Sequence, residues 1–371
     1  MKYLASAIVG LIALSSFKTA SADLVGVYWP AFTEPPGSSL GLNASTILNL
    51  AVFQTLRRAP YPNPQKLDFG DGQIMWSEQP LGDQPPFDVA RMTNNQMVLT
   101  GAAFPFGNGA IVTARLYVTA LTEKDRERQT WNLRFESTAG RPPVELTLDV
   151  LPERAFEFRS IPLQGADLSA YSSPALLEVH SDGAGGPVIG RVENGLKAVT
   201  QDGPVAHVKT YAGLDGYLVL PKMTPEVNAM ASFTGAIVRV LRADWAGAGQ
   251  LFGKLSEAST PTSSFVDAQL LSAYCLEQQG QSGREFVERA VVLRPSAPRV
   301  VKYRIMVLAS DLARRMKAGD QGGANALLAD LTSAVGRAVQ ILGREDEWTG
   351  RAQNVLNYFR ARFVPRADAR N

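Results

Sequence analysis

The chain has 371 residues, with 37 basic and 35 acidic side chains and a formal net charge of +2. That balance lacks the dense basic patch of nucleic-acid binding, so no nucleic-acid partner is expected. The length suits two or three domains, and the single cysteine, Cys275, excludes an internal disulfide.

Lys2 supplies a positive start, Leu4 to Phe17 is an apolar stretch, and Ala20-Ser21-Ala22 precedes Asp23. This order is that of a removable secretory signal, expected over residues 1–22. The stretch is shorter than the roughly 20 apolar residues that span a bilayer. No cysteine lies near the cleavage site to carry a lipid, and no later run is apolar enough to cross a membrane. The processed chain is expected to be a soluble periplasmic or secreted protein of a bacterial envelope. Lys2 and Lys18 leave with the signal, so 35 basic and 35 acidic residues remain. Residues 23–225 carry 16 basic against 21 acidic, and residues 226–371 carry 19 against 14, which suggests two bodies with different, mutually attractive surfaces. Asn43-Ala44-Ser45 matches a glycosylation sequon, but nothing else points to a eukaryotic route.

Residues 23–165 read as an α+β domain, an α/β sandwich-like unit. Val25 to Trp29 is a β-rich opening, and a helix follows, capped by Asn43 or Ser45, with a stripe of Ile47, Leu48, Leu50, Ala51, Phe53 and Leu56. Residues 60–88 predict a long loop with one short strand around Ile74 to Trp76. Met97 to Ala103 and Ala110 to Ala120 predict a hairpin whose turn draws positive φ from Gly and Asn. Strands also fit 130–137, 144–151 and 155–161. The Val98-Leu99-Thr100-Gly101 stretch with its hairpin resembles the small N-terminal domain of TolB-like periplasmic proteins.

Residues 172–224 predict five short strands, 175–180, 188–192, 197–201, 206–210 and 216–220, between Gly- and Asp-rich turns, a spacing that suggests a small barrel. Leu177-Glu178-Val179, Gly185 to Gly190, Glu193-Asn194-Gly195, Val208-Lys209 and Gly213 to Leu218 resemble the bacterial Src-homology-3-like (SH3b) family. The resemblance implies a small all-β barrel that binds peptide or cell-wall material. Val205 or Ala206 replaces the family's Trp before the fourth strand, and Gly216-Tyr217 replaces its late Gly-Trp. The binding residues singled out are Tyr211, Tyr217, His207 and His180.

From Glu226 the apolar period changes to 3.6. Helices are predicted over 226–242, 244–257, 264–279, 283–293, 298–318, 320–342 and 345–363, with breakers between them. Ala273-Tyr274, Gly280, Phe286, Ala290 and Pro295 resemble one tetratricopeptide repeat, which implies a degenerate TPR-like all-α domain over 226–365 with a concave binding surface. Residues 366–371 form a basic tail.

The residues present no complete catalytic set. Cys275 sits mid-helix among apolar neighbours, far along the chain from the two histidines, and a nucleophile needs a base within hydrogen-bond reach. Two His and one Cys fall short of a structural zinc site. Asp68-Phe69-Gly70-Asp71-Gly72 has turn composition. No metal and no cofactor are expected. The fold class expected is multidomain α+β, and the role that of a non-catalytic exported adaptor or scaffold for a protein, peptide or peptidoglycan-type partner. The alternative is an envelope hydrolase using acidic residues of the N-terminal domain, around Asp68, Asp71 and Glu78.

Overall fold

A computed structural model describes residues 25–57, 72–136, 142–151, 154–171, 177–183, 185–192, 196–202, 204–210, 212–221, 223–256 and 263–363. The expected signal over 1–22, the expected tail 366–371, Asp68, Asp71 and Tyr211 lie outside these residues.

Strand β1 (Val25–Ala31) lies parallel to both β2 (Gly72–Pro80) and β3 (Met97–Phe106), with Val27 opposite Ile74 on one side and Met97 on the other. Parallel neighbours need crossover connections. Helices α1 (Leu40–Arg57) and α2 (Pro86–Met92) lie on them. The short strand expected near Ile74 is thus a full strand, and the expected long loop contains α2. Helix α1 starts earlier than Asn43. The Ser38 hydroxyl accepts the Leu40 N–H (3.0 Å) and the Glu34 carboxylate accepts that of Gly41 (2.6 Å), satisfying first-turn donors that would otherwise lack partners.

That shift places Asn43 and Ser45 inside the helix, where both are buried, and the sequon with them. Helix α1 is buried almost all round, packing on β1 and β3 and also on the later helix α5 (Pro225–Leu241). Most of its polar residues bond within the fold, while Asn43 Oδ1 and Asn49 Oδ1 are buried without a partner. Ser45 and Thr46 donate to the Leu42 carbonyl, Asn49 to that of Ser45 and Thr55 to that of Ala51, while Gln54 reaches the Pro221 carbonyl at 2.8 Å.

β3 and β4 (Gly109–Val118) form the expected hairpin, with β3 running on to Phe106, β4 ending at Val118 and a two-residue turn between them. Gly107 takes φ +58°, as a II′ turn asks of its first residue; Asn108, expected to share that role, does not. Strand β7 (Phe156–Leu163) extends this sheet beside β4. Two more short helices escaped the sequence reading, α3 (Glu123–Arg128), closed by a Thr122–Asp125 capping box, and α4 (Gly165–Ala170).

Strands β8 (Glu178–His180), β9 (Val188–Arg191), β10 (Leu196–Asp202), β11 (Val205–Thr210) and β12 (Asp215–Val219) follow. They continue the same sheet, whose order is β7-β4-β3-β1-β2-β10-β11-β12-β8-β9. The joint is an antiparallel pairing of β10 with β2, Leu196 opposite Ile74.

Beyond Met223 the chain is helical: α5, α6 (Trp245–Ser256), α7 (Ser263–Gln278), α8 (Arg284–Leu293), α9 (Pro298–Lys317), α10 (Gln321–Leu342) and α11 (Glu347–Phe363). Every end falls within two residues of the predicted one. Successive helices pack on one another from α5 to α11. Buried Glu277 of α7 accepts the Gly283 N–H (2.9 Å), the Ser310 hydroxyl (2.6 Å) and the Arg314 guanidinium (2.8 Å), tying the start of α8 and the C-terminal half of α9 to α7. The chain is therefore a mixed α+β protein with a helical C-terminal region.

β5 (Thr130–Phe135) and β6 (Val144–Asp149) form a separate two-stranded ribbon packed on these helices. Trp131 lies among Tyr274 and Tyr303, and Phe135 against Phe359 at 5.0 Å. The Trp348 indole donates to the Thr147 carbonyl at 2.8 Å. An ion pair that crosses joins basic Arg154 of the first half to acidic Asp267 of α7 at 2.6 Å. Asp267 also meets Arg299, whose guanidinium donates to the Val150 carbonyl at 2.7 Å.

Candidate binding site

Alternation along β8, β11 and β12 sorts the side chains onto two faces. Val179, Ala206, Val208 and Leu218 are buried on one. On the other, the register places His180 opposite Tyr217 and Tyr217 opposite His207, so the three form one row across three strands. All three are partly exposed. His207 stacks on Tyr217 with centroids 4.9 Å apart and planes 29° from parallel. Val188, opposite His180, and Val219, two residues beyond Tyr217, extend the face with apolar surface and are 48% and 49% exposed.

Polar partners fix the row. His180 Nδ1 lies 2.9 Å from the Gly186 carbonyl, which can only accept, so this nitrogen carries the proton. His207 Nε2 lies 2.5 Å from Asp215 Oδ1, and Lys209 Nζ lies 3.1 Å from Asp215 Oδ2. Lys209, and then His207, hold the Asp215 carboxyl below the usual carboxylate range. As a carboxylate it accepts from His207 Nε2–H. The result is a surface strip with a stacked aromatic pair, two oriented imidazoles and a charged end. Such a strip can hold a partner by stacking and hydrogen bonding.

Of the four residues read from the sequence, the structure brings His180, Tyr217 and His207 together; Tyr211 lies outside the described residues. Asp215, Lys209, Val188 and Val219 were missed. Period-2 alternation in 205–210 and 215–219 already puts Lys209, Asp215 and Val219 on the face of His207 and Tyr217. Only the pairing register makes them neighbours.

The other candidates lie elsewhere. Cys275 is buried in α7, where desolvation pushes its thiol up, away from the reactive thiolate. Among the described residues no group of three or more His, Cys, Asp or Glu is arranged to hold a metal ion, and no helix is long and apolar enough to cross a membrane. Glu78 lies with Glu34 beside a cavity of about 270 Å³ at the carboxyl ends of β1 and β2. Of the basic C-terminus, Arg362 is fastened to the body by the Glu136 carbonyl (2.8 Å) and the Tyr358 ring (3.8 Å), and Arg360 reaches the Thr332 hydroxyl at 3.4 Å. Comparisons with protein-family models, with curated proteins and with solved structures find no match.

Proposed function

We propose that this chain is an exported, non-catalytic adaptor of the bacterial envelope that holds a protein, peptide or peptidoglycan-type partner on the outer face of β8, β11 and β12. One observation carries the reading: His180, Tyr217 and His207, separated by up to 37 positions, align in a single solvent-facing row while the reverse face is packed. Aromatic residues with a polar end are the side chains that dominate binding energy when a partner covers them. The SH3-like reading of residues 172–224 agrees with five short antiparallel strands there, the first, β8, pairing with the last, β12. The repeat-like reading of 226–365 agrees with the sequential packing of α5 to α11 and with buried Ala273 and Ala290 at helix contacts. The export signal supplies the periplasmic or secreted location in this reading.

The test is retention of the processed protein on an envelope fraction and on sedimented, purified peptidoglycan. Wild type is expected to be retained, and Tyr217→Ala with His207→Ala to lose about 2 kcal/mol of binding. Failure to retain any partner, or retention indifferent to both substitutions, overturns the proposal.

A second reading, an envelope hydrolase acting through N-terminal acids, has one favouring observation: Glu34 and Glu78 share the cavity at the strand ends. Against it, Glu34 is engaged in closing the first turn of α1. Clearing of cell-wall substrate in a zymogram, lost in Glu78→Gln, is what this reading requires.

A further inference from the structure

The outer face of β3 and β4, away from the His–Tyr–His row, carries a second concave surface. Alternate cross-strand pairs Val98–Tyr117, Thr100–Arg115, Ala102–Thr113 and Phe104–Ile111 put these side chains on one face. The reverse face, with Leu99, Ala103, Val112, Ala114 and Leu116, is buried. The segment leading into α2 rises beside the exposed face, and Phe87 packs edge-on to Tyr117 at 5.3 Å. Between wall and floor lies an open cleft of about 480 Å³, whose lining includes Asp83, Gln84, Thr100, Thr113, Arg115 and Tyr117. Ligand sites commonly measure about 300–1,000 Å³. Phe104 stands at its edge, 55% exposed.

Position adds to shape. β1 sits between its two parallel neighbours β2 and β3, and Thr33, two residues beyond the end of β1, also lines the cleft. Open sheets with parallel strands take ligands in the crevice outside the carboxyl ends of those strands, where the strand order reverses.

We propose that this cleft binds a neutral saccharide. Strand addition by a peptide is closed to it, because β3 is hydrogen-bonded on both edges, by β1 and β4, and β4 by β3 and β7. Recognition must come from side chains. The lining offers hydroxyls, an amide, a carboxylate and a guanidinium, which together donate to and accept from a polyol. The rings of Phe104 and Tyr117 suit the apolar C–H face of a pyranose. Formal charge favours a neutral ligand. Arg115, already paired with Glu157 at 3.2 Å, and Asp83 are the charged residues of the lining and are of opposite sign, so neither an anion nor a cation meets a net opposite charge there. This site shares no residue with the proposed binding face and is independent of it.

The experiment is isothermal titration of the processed full chain with three neutral trisaccharides, N,N′,N″-triacetylchitotriose, cellotriose and maltotriose. Asp83 and Phe104 are exposed, so Asp83→Ala and Phe104→Ala leave the fold intact, which thermal melts check. At least one sugar is expected to bind saturably in the millimolar range or tighter. Each cleft substitution is expected to weaken it about tenfold or more. No saturable binding of any of the three sugars by wild type, or binding that survives both cleft substitutions, overturns the proposal.

Discussion

The Trp131 ring of the β5–β6 ribbon meets the Tyr303 ring of α9 at 6.0 Å and 66°, joining two parts of the chain that are 172 positions apart. Tyr274 of α7 closes the other side at 5.8 Å, and Trp131 is 2% exposed. Both phenols are bonded to carbonyls on the ribbon's flanks, Tyr274 to Arg128 at 3.1 Å and Tyr303 to Val150 at 3.4 Å. Truncation here removes a large buried ring from the junction between ribbon and helices. Trp131→Ala is expected to cost about 3–5 kcal/mol in denaturant unfolding. A loss under about 1 kcal/mol would mean that ribbon and helices are not held together there.

Two glycines in the helical region should respond in opposite directions to the same substitution. At Gly283 a Cβ would lie 2.7 Å from the Ala273 Cα and carbonyl oxygen, backbone atoms that cannot swing aside. Gly283→Ala is expected to lower stability by about 1–3 kcal/mol through overpacking. Gly336 lies exposed inside α10 with nothing near the position of a Cβ. Gly336→Ala is expected to raise stability by about 0.5–1 kcal/mol, since alanine restricts the unfolded chain. Thermal or chemical denaturation of the two variants checks both signs.

The Asp215 carboxyl titrates below its unfolded value because Lys209, then His207, favours its charged form. A depressed folded value means that its contribution to stability is fully present above the ordinary carboxylate range. The contribution is lost as pH falls through the lowered value. In a carboxyl-carbon NMR titration, the Asp215 midpoint should lie below the roughly 3.9 of an unperturbed aspartate and move up in Lys209→Ala. An unchanged midpoint in the variant would show that the Lys209 contact does not form in solution.

Cys275 is fully buried and its thiol is pushed up by desolvation, so the thiolate is scarce and unreachable in the folded chain. A thiol reagent such as Ellman's is expected to leave the native protein unmodified at neutral pH and to label one cysteine per chain once denaturant is added. Rapid labelling of native protein would contradict the burial of α7.

How much was legible in the sequence follows the range of the forces involved. The helices from 225 onward were readable because their limits are set within a few residues. Gly280 and Gly319 take φ +74° where helices stop, and Pro298 opens α9. The five strands of 178–219 were readable from their regular spacing between Gly- and Asp-rich turns, and in β11 and β12 also from the alternation that one packed face imposes. The short helices α2, α3 and α4 were not, since one or two turns carry too little periodicity to stand out from loop composition. Nor was the extent of α1. Its buried Ser45, Thr46, Asn49 and Thr55 look like surface residues until their bonds to the helix's own carbonyls are seen.

The candidate site divides in the same way. By itself the sequence determined which side chains share a face, because the pleat repeats every two residues whatever lies alongside. The tertiary structure decided which strands are neighbours, and so brought His180, Tyr217 and His207 into one row, joined β10 to β2, and laid the β5–β6 ribbon on α7, α9 and α11. The physical reason is that hydrogen-bonded pairing and burial reward contact between segments whatever their separation along the chain, while local patterns record only that a face is apolar and not what will cover it.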